Sequence, residues 1–255
     1  MSYSYSVVIP VYNSENYLDR LFLSLKNQTL QLNEIIVVDD GSEDGSKEVI
    51  LKWLPRLPIK LIQLEENMGI MSALSRGVSE SKGEWIFRID SDDYWFPDHC
   101  EKLSKIISSD EKLVLVASRA INTQNNMKLG ISQFEDQESI YKSIMWNNPL
   151  VHSSIAFRKS ANEHVGGYSF DSYALDYSLI LNLLDVGNFK MYSSATLFYE
   201  QHQDSLSRTE QLNIINEDRE LMQLTAIKLY FKKSILRATL IFLFVYLRKF
   251  FRYVS

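Results

Sequence analysis

Gly83-Glu84-Trp85-Ile86-Phe87-Arg88-Ile89-Asp90-Ser91-Asp92-Asp93 sets the apolar run Trp85 to Ile89 directly against three carboxylates within four residues. The run has the length and the aromatic and β-branched content of a buried strand, and it stops at the acidic cluster. Three earlier runs have the same character: Ser6 to Pro10, Ile35 to Val38 and Ile59 to Leu64. Between them the apolar residues recur at helical spacing, as in Leu18, Leu21, Phe22 and Leu25, in Val49, Ile50 and Trp53, and in Ile70, Ala73, Leu74, Gly77 and Val78. Asn13 or Ser14 is suited to cap the first helix, and Asp44 or Ser46 the second. Strand and helix alternate up to about Ala120. That pattern predicts an α/β fold, a mostly parallel sheet with right-handed crossovers and helices on both faces. In such sheets ligands bind beyond the carboxyl ends of the strands. Tyr12 and Asn13 follow the first strand, Asp39 and Asp40 the second, and Asp90 to Asp93 the fourth, so three separate segments bring polar groups to one edge.

The chain has 255 residues, 45% hydrophobic and 23% charged, which predicts a sizeable core in one large domain or a domain with an appendage. The single cysteine, Cys100, excludes an internal disulfide and fits a reducing compartment. No basic and apolar leader opens the sequence, so no secretory signal is expected. The net charge of −5 is uneven: seven basic and no acidic residues lie between Lys228 and Ser255, leaving 20 basic against 32 acidic residues elsewhere, a net of −12. An acidic body is a poor nucleic-acid surface.

After Ala120 the pattern becomes mixed. Gln137 to Trp146 reads as helix, Ser153 to Phe157 as strand, and Gly166-Gly167-Tyr168 as a turn. Leu175 to Val186 is a helix ended by Gly187 and Asn188, and Met191 to Tyr199 forms one or two short strands. Leu212 to Phe231 and Ile235 to Val254 read as two helices.

Clustered carboxylates suit hard divalent cations, because oxygen ligands favour Mg²⁺ and Mn²⁺ and such ions bind one or two carboxylates together with substrate phosphates. An isolated Asp-x-Asp is more often a solvated turn. Its place after a buried strand, opposite a second Asp-Asp pair, favours a site. The segments Val7 to Asn13, Ile36 to Ser42, Glu66-Asn67-Met68-Gly69 and Gly83 to Asp93 closely resemble the family 2 glycosyltransferases of the GT-A fold, in the family's order and spacing. The close resemblance covers about residues 4 to 100 and a looser one runs to about 208. It implies a GT-A domain over 1–208, with a nucleotide-binding part (1–120) and an acceptor part (121–208), followed by a helical appendage over 209–255. It further implies inverting transfer from a nucleotide sugar, usually a UDP-sugar, with Mn²⁺ or Mg²⁺.

On that resemblance Pro10, Val11 and Tyr12 line the base and ribose pocket, and Glu15 approaches the ribose or base. Asp40 bonds the base. Asp39 either does the same or caps the turn. Asp90, with Ser91 beside it, meets the ribose or metal, Asp92 meets the metal, and Asp93 either ties down the loop or takes part. Many members place an Arg in an Ala-Arg-Asn sequence after Asn-x-Gly; here those positions are Ala73, Leu74 and Ser75, so Arg76 or Arg88 supplies the cation. Arg76 also fits a solvated helix face.

An acceptor hydroxyl is a poor nucleophile, and a carboxylate or His must take its proton. Members commonly place this base at a helix start after a Gly-Gly-Tyr/Phe turn. Asp176 is therefore the candidate base, with helix capping as its plain alternative and Asp171 in reserve; Leu175 replaces the usual acidic neighbour. His202, in a segment resembling Tyr-Arg-x-His, either meets the metal or diphosphate or makes a loop hydrogen bond. His152 faces the acceptor cleft or packs, and His99 and His164 are expected on surfaces.

The apolar run Ala238 to Leu247, flanked by Lys232, Lys233, Arg237, Arg248, Lys249 and Arg252, is too short to span a bilayer but long enough to lie in its interface. The sequence thus predicts a cytoplasmic enzyme held peripherally at the membrane, acting on a glycan or lipid-linked glycan in cell-surface polysaccharide synthesis. A docking helix is the alternative for the tail. A sugar nucleotidyltransferase, or a nucleotide-sugar-binding protein without activity, is the alternative for the function.

Overall fold

The computed structural model describes residues 3–123, 128, 129, 143, 148, 150–168 and 175–200. The first four apolar runs form β1 (Tyr5–Val11), β2 (Ile35–Asp39), β3 (Ile59–Gln63) and β4 (Trp85–Arg88). They are joined by α1 (Glu15–Lys26), α2 (Ser46–Trp53) and α3 (Ile70–Glu80). These strands pair in parallel in the order β3-β2-β1-β4, with Val7 opposite Ile35 and Val7 also opposite Phe87. Parallel strands covered on both faces need apolar residues at successive positions, and β1 and β2 supply them.

The chain continues through β5 (Tyr94–Trp95), α4 (His99–Ile107), β6 (Leu113–Asn122) and β7 (Lys128–Leu129). A 3₁₀ turn (His152–Ser154) leads into β8 (Ala156–Arg158), α5 (Lys159–His164), α6 (Leu175–Val186) and β9 (Asn188–Tyr199). The sheet runs on as β4-β8-β6-β9-β5, with β7 against β6. β8 is antiparallel to both neighbours, whereas β6 and β9 are parallel. The parallel character predicted from the sequence therefore holds through β4, and the sheet beyond it is mixed.

Strand alternation sorts the core into two layers. Val8, Ile36, Val38 and Ile86 face α3 and α6, while Val7, Ile9, Ile35, Val37 and Phe87 face α1, α2 and α4. Gly77 lets α3 approach β1: a Cβ there would come within 2.5 Å of Val8 Cγ1.

Several expectations are corrected. Met191–Tyr199 is the end of one twelve-residue strand, not one or two short ones. Its pairing with β6 shifts register three times, which breaks the two-residue period a sequence reader depends on. Ser153 and Ser154 lie in the 3₁₀ turn instead of a strand, and Ser154 donates to the Val151 carbonyl at 2.7 Å. His99 is fully buried, not on the surface: its ring stacks on Trp95 at 4.3 Å and bonds Thr196. His164 is exposed as expected. The predicted helix over 137–146 lies outside the described residues apart from Ser143, as do Asp171, His202 and everything from 201 to 255. Among the described residues no helix is long and apolar enough to cross a membrane.

Candidate functional site: an acidic loop at the carboxyl edge of the sheet

The ends of β1, β2 and β4 meet at one edge. Asp40 N donates to the Val11 carbonyl at 2.8 Å and Asn13 N donates to Ser42 Oγ at 3.0 Å. Asn13 Oδ1 accepts from Glu43 N at 2.9 Å, from a backbone held at φ 47°. The Ser14 and Ser91 hydroxyls lie 2.7 Å apart and tie the first loop to the acidic loop. Gly41 sits at φ 71°, and a Cβ on it would strike the backbone of Glu66 and Asn67 at 2.6–2.7 Å. Only glycine permits that close approach of two loops. Together these loops border a cavity of about 350 Å³ whose lining includes Tyr12, Asp39, Ser42, Lys47, Glu65 and Asn67. Tyr12 is 45% exposed there, and Pro10 and Val11 are the buried strand end behind it.

Both aspartates after β2 are buried. Asp39 Oδ1 accepts from Ser42 N at 3.1 Å, the turn-capping alternative. Asp40 Oδ1 accepts from Met68 N at 2.8 Å, holding the Asn67 loop against the turn. Glu15 accepts from Gly45 N while Asp44 accepts from Glu15 N, both at 3.0 Å. This reciprocal cap joins the starts of α1 and α2, and it engages one oxygen of the carboxylate that was assigned to the ribose or base. The N-cap of α2 is Gly45, not the expected Asp44 or Ser46, and that of α1 is Ser14; the other oxygen of Asp44 accepts from Ser46 N at 3.0 Å.

The acidic loop is built around a buried cation. Arg88 is 1% exposed and forms a two-pronged ion pair with Asp90. Burial works against its charge, and Asp90 outweighs that, so the pKa of Arg88 is raised. Ser153 Oγ donates to Asp90 Oδ2 at 3.1 Å and accepts from Asp90 N at 2.9 Å. Asp93 is 1% exposed, and its Oδ1 accepts from Glu200 N at 2.8 Å. Its Oδ2 is buried with no hydrogen-bond partner among the described residues. Burial, then the charges of Asp90 and Asp92, push its carboxyl well above the usual range.

Carboxylate oxygens of Asp90, Asp92 and Asp93 lie within 4.8 Å of one another. Three such groups against one guanidinium, with an orphaned oxygen among them, form a donor set suited to a hard divalent cation. Arg20, on α1, braces the loop from outside. It donates to the Asp92 carbonyl at 3.0 Å and to Glu200 at 2.8 Å, with its guanidinium 4.3 Å over the Tyr94 ring.

Arg76 lies elsewhere in this arrangement. It is exposed on α3 and pairs with Glu80 at 2.9 Å, the solvated-face alternative, so Arg88 is the cation of the acidic loop. Asp176, in the first turn of α6, is half-buried. Its Oδ2 accepts from Asn148 Nδ2 at 2.7 Å and its Oδ1 from Tyr177 N at 2.8 Å. Burial raises its pKa, against the hydrogen bonds and the charge of Arg88. Tyr168, in the turn after α5, feels the charges of Arg88, Asp90 and Asp176 and bonds His152 Nε2 at 3.1 Å. Burial, then the charge of Arg88, push the pKa of His152 down; the ring is half-buried and lies against Tyr168.

Sequence reasoning missed Arg20, Asn148 and Ser153. Arg88 carried a signal, being a charge inside an apolar strand. Ser153 and Asn148 carried none, because a hydroxyl or amide beside a turn is ordinary.

The family model described as "Glycosyl transferase family 2" matches residues 6–166. The amylovoran biosynthesis glycosyltransferase AmsE of Erwinia amylovora is 29% identical over 245 residues, covering 94% of this chain and 91% of that one. Among solved structures, S. aureus TarS in complex with UDP-GlcNAc shares the fold at a TM-score of 0.72 and 19% identity, over 91% of this chain and 73% of the other. A mannosyltransferase from Pyrobaculum calidifontis in complex with GDP-Man and Mn²⁺ does so at 0.65 and 17%, over 95% and 79%. The match spans more than half of the sequence and takes in the acidic loop and the strands that carry it, and on it this chain belongs to glycosyl transferase family 2.

Proposed function

We propose that the chain transfers a sugar, with inversion, from a UDP-sugar to a hydroxyl of a glycan or lipid-linked glycan in the assembly of a cell-surface polysaccharide. The observation that carries this reading is the three-carboxylate loop, clamped by Arg88 and tied through Ser91 to the loop after β1, whose Tyr12 lines the cavity. The base and ribose would lie in the cavity against Tyr12 and Asp39, with Asp40 as the proposed partner of the base. A carboxylate can accept the imide N–H of uracil. Asp90, Asp92 and Asp93 would hold Mn²⁺ or Mg²⁺, joined by His202. A divalent cation there supplies positive charge to the departing diphosphate.

In the reaction the acceptor oxygen bonds to the anomeric carbon from the face opposite the leaving group, and the bond from that carbon to the diphosphate oxygen breaks. The electron pair leaves with the nucleoside diphosphate, and the hydroxyl proton passes to Asp176. A carboxyl whose pKa is raised by burial is a better base near neutral pH than a solvated one. The similar proteins support a nucleotide-sugar donor and a polysaccharide product, since TarS forms a complex with UDP-GlcNAc and AmsE is a glycosyltransferase of amylovoran biosynthesis. The basic, apolar segment 228–255 is proposed as the contact that brings the enzyme to its acceptor at an anionic membrane surface.

The test is a panel of UDP-GlcNAc, UDP-glucose, UDP-galactose and GDP-mannose, each with and without Mn²⁺ or Mg²⁺, measuring donor binding and nucleoside diphosphate release. Metal-dependent binding of a UDP-sugar is expected. A protein that binds none of the four under any condition would defeat the proposal.

A further inference from the structure

Asn148, His152 and Ser153 are close neighbours in the chain, and each meets a different group across the cleft. Asn148 Nδ2 donates to Asp176 Oδ2 at 2.7 Å. His152 Nε2 lies 3.1 Å from Tyr168 OH. Ser153 Oγ donates to Asp90 Oδ2 at 3.1 Å. Asn148 Oδ1 also accepts from Leu150 N at 3.0 Å, and the Ser153 carbonyl accepts from Trp95 Nε1 at 2.9 Å. Asn148 therefore meets Asp176 and Ser153 meets Asp90, groups that lie in α6 and just after β4.

We infer that Asn148 is a positioning residue that aims the carboxylate of Asp176. The inference rests on Asp176 being the base of the proposed reaction. With Asn148 on Oδ2 and Tyr177 N on Oδ1, each oxygen is held by a donor, so the plane of the carboxylate is fixed. A base must lie within hydrogen-bond reach of the proton it takes, and small misplacements are costly. Asn148 also has an electrostatic effect. A donor to the ionised carboxylate favours that form, so losing the amide moves the Asp176 titration to higher pH. Among the described residues the charged and titratable groups facing Asp176 are Arg88 from β4, which lowers its pKa, and Tyr168 from the turn after α5, which is bonded to His152.

Two variants separate positioning from simple packing. Asn148→Leu keeps the volume and removes the donor. Asn148→Asp keeps the shape and sets a second carboxylate against the first. The full chain is labelled at the aspartate carboxyl carbons, and the Asp176 resonance is identified by its loss in Asp176→Asn. The carboxyl midpoint is then read by NMR in wild type and both variants, with donor binding as the check on folding. Transfer is followed from the radiolabelled donors of the panel into a membrane lipid and glycan extract. The midpoint should rise by roughly one to two pH units in Asn148→Leu and further in Asn148→Asp, in that order. Transfer at neutral pH should fall at least about tenfold in each, with donor affinity unchanged. An unmoved midpoint, or wild-type transfer in Asn148→Leu while Asp176→Asn is inactive, overturns the inference and leaves the base assignment standing. Wild-type transfer in Asp176→Asn removes the base assignment, and the inference falls with its premise.

Discussion

Acidification from pH 7 to pH 5 should destabilise this protein by about 2 kcal/mol through His99 alone. The imidazole is fully buried at the start of α4, stacked on Trp95 and bonded through Nδ1 to Thr196 at 2.6 Å. The Thr196 hydroxyl donates onward to Ser118, so Nδ1–H is the donor to Thr196 and the neutral ring is complete on that side. Among the described residues Nε2 is buried without a partner, and none of them offers an acceptor for a second proton there. Burial, and then Lys102, push the pKa of His99 down to about 3. The unfolded chain titrates near pH 6.5, as an ordinary histidine does.

Between those two values the unfolded state binds a proton that the folded state refuses, so stability falls as pH drops through 6.5 and goes on falling toward 3. At pH 5 the unfolded histidine lies about 1.5 pH units below its midpoint, and each unit is worth about 1.4 kcal/mol. Urea denaturation of wild type and His99→Asn at pH 7 and pH 5, followed by circular dichroism, isolates the effect, because every other titration is common to both proteins. The wild type should lose about 2 kcal/mol more than the variant over that interval. A difference under about 0.5 kcal/mol would refute the burial argument.

Three further outcomes are expected. Asp92→Asn should weaken metal-dependent donor binding at least tenfold while leaving metal-independent binding unchanged, as calorimetry with and without Mn²⁺ can test. Arg88→Met removes the buried cation that pairs with Asp90 and should cost about 3 kcal/mol of folding stability; a loss below about 1 kcal/mol in urea would show that the pair is not the anchor of the acidic loop. A chain ended after Phe231 should lose binding to vesicles containing phosphatidylserine yet keep its affinity for the donor, and unchanged sedimentation with vesicles would assign segment 232–255 to docking instead.

The sequence by itself determined the first half of the fold. Runs such as Ile35 to Val38 are too apolar to lie on a surface, and the helical spacing between them leaves room only for parallel crossovers. It also determined that Tyr12, Asp40 and Asp90 share an edge, because in a parallel sheet that edge follows from strand direction alone. Local chemistry could not say which polar side chains are engaged and which are open. Glu15 and Arg76 look available in sequence, yet one caps Gly45 and the other pairs with Glu80. His99 looks like a surface residue, yet it packs on Trp95, because α4 lies over a strand ninety residues further along the chain. Packing sets Asn148 on Asp176 and Ser153 on Asp90, and it buries Arg88 against a carboxylate two residues along. The first two contacts join segments tens of residues apart, where the chain's periodicity carries no information and only packing fixes the partner.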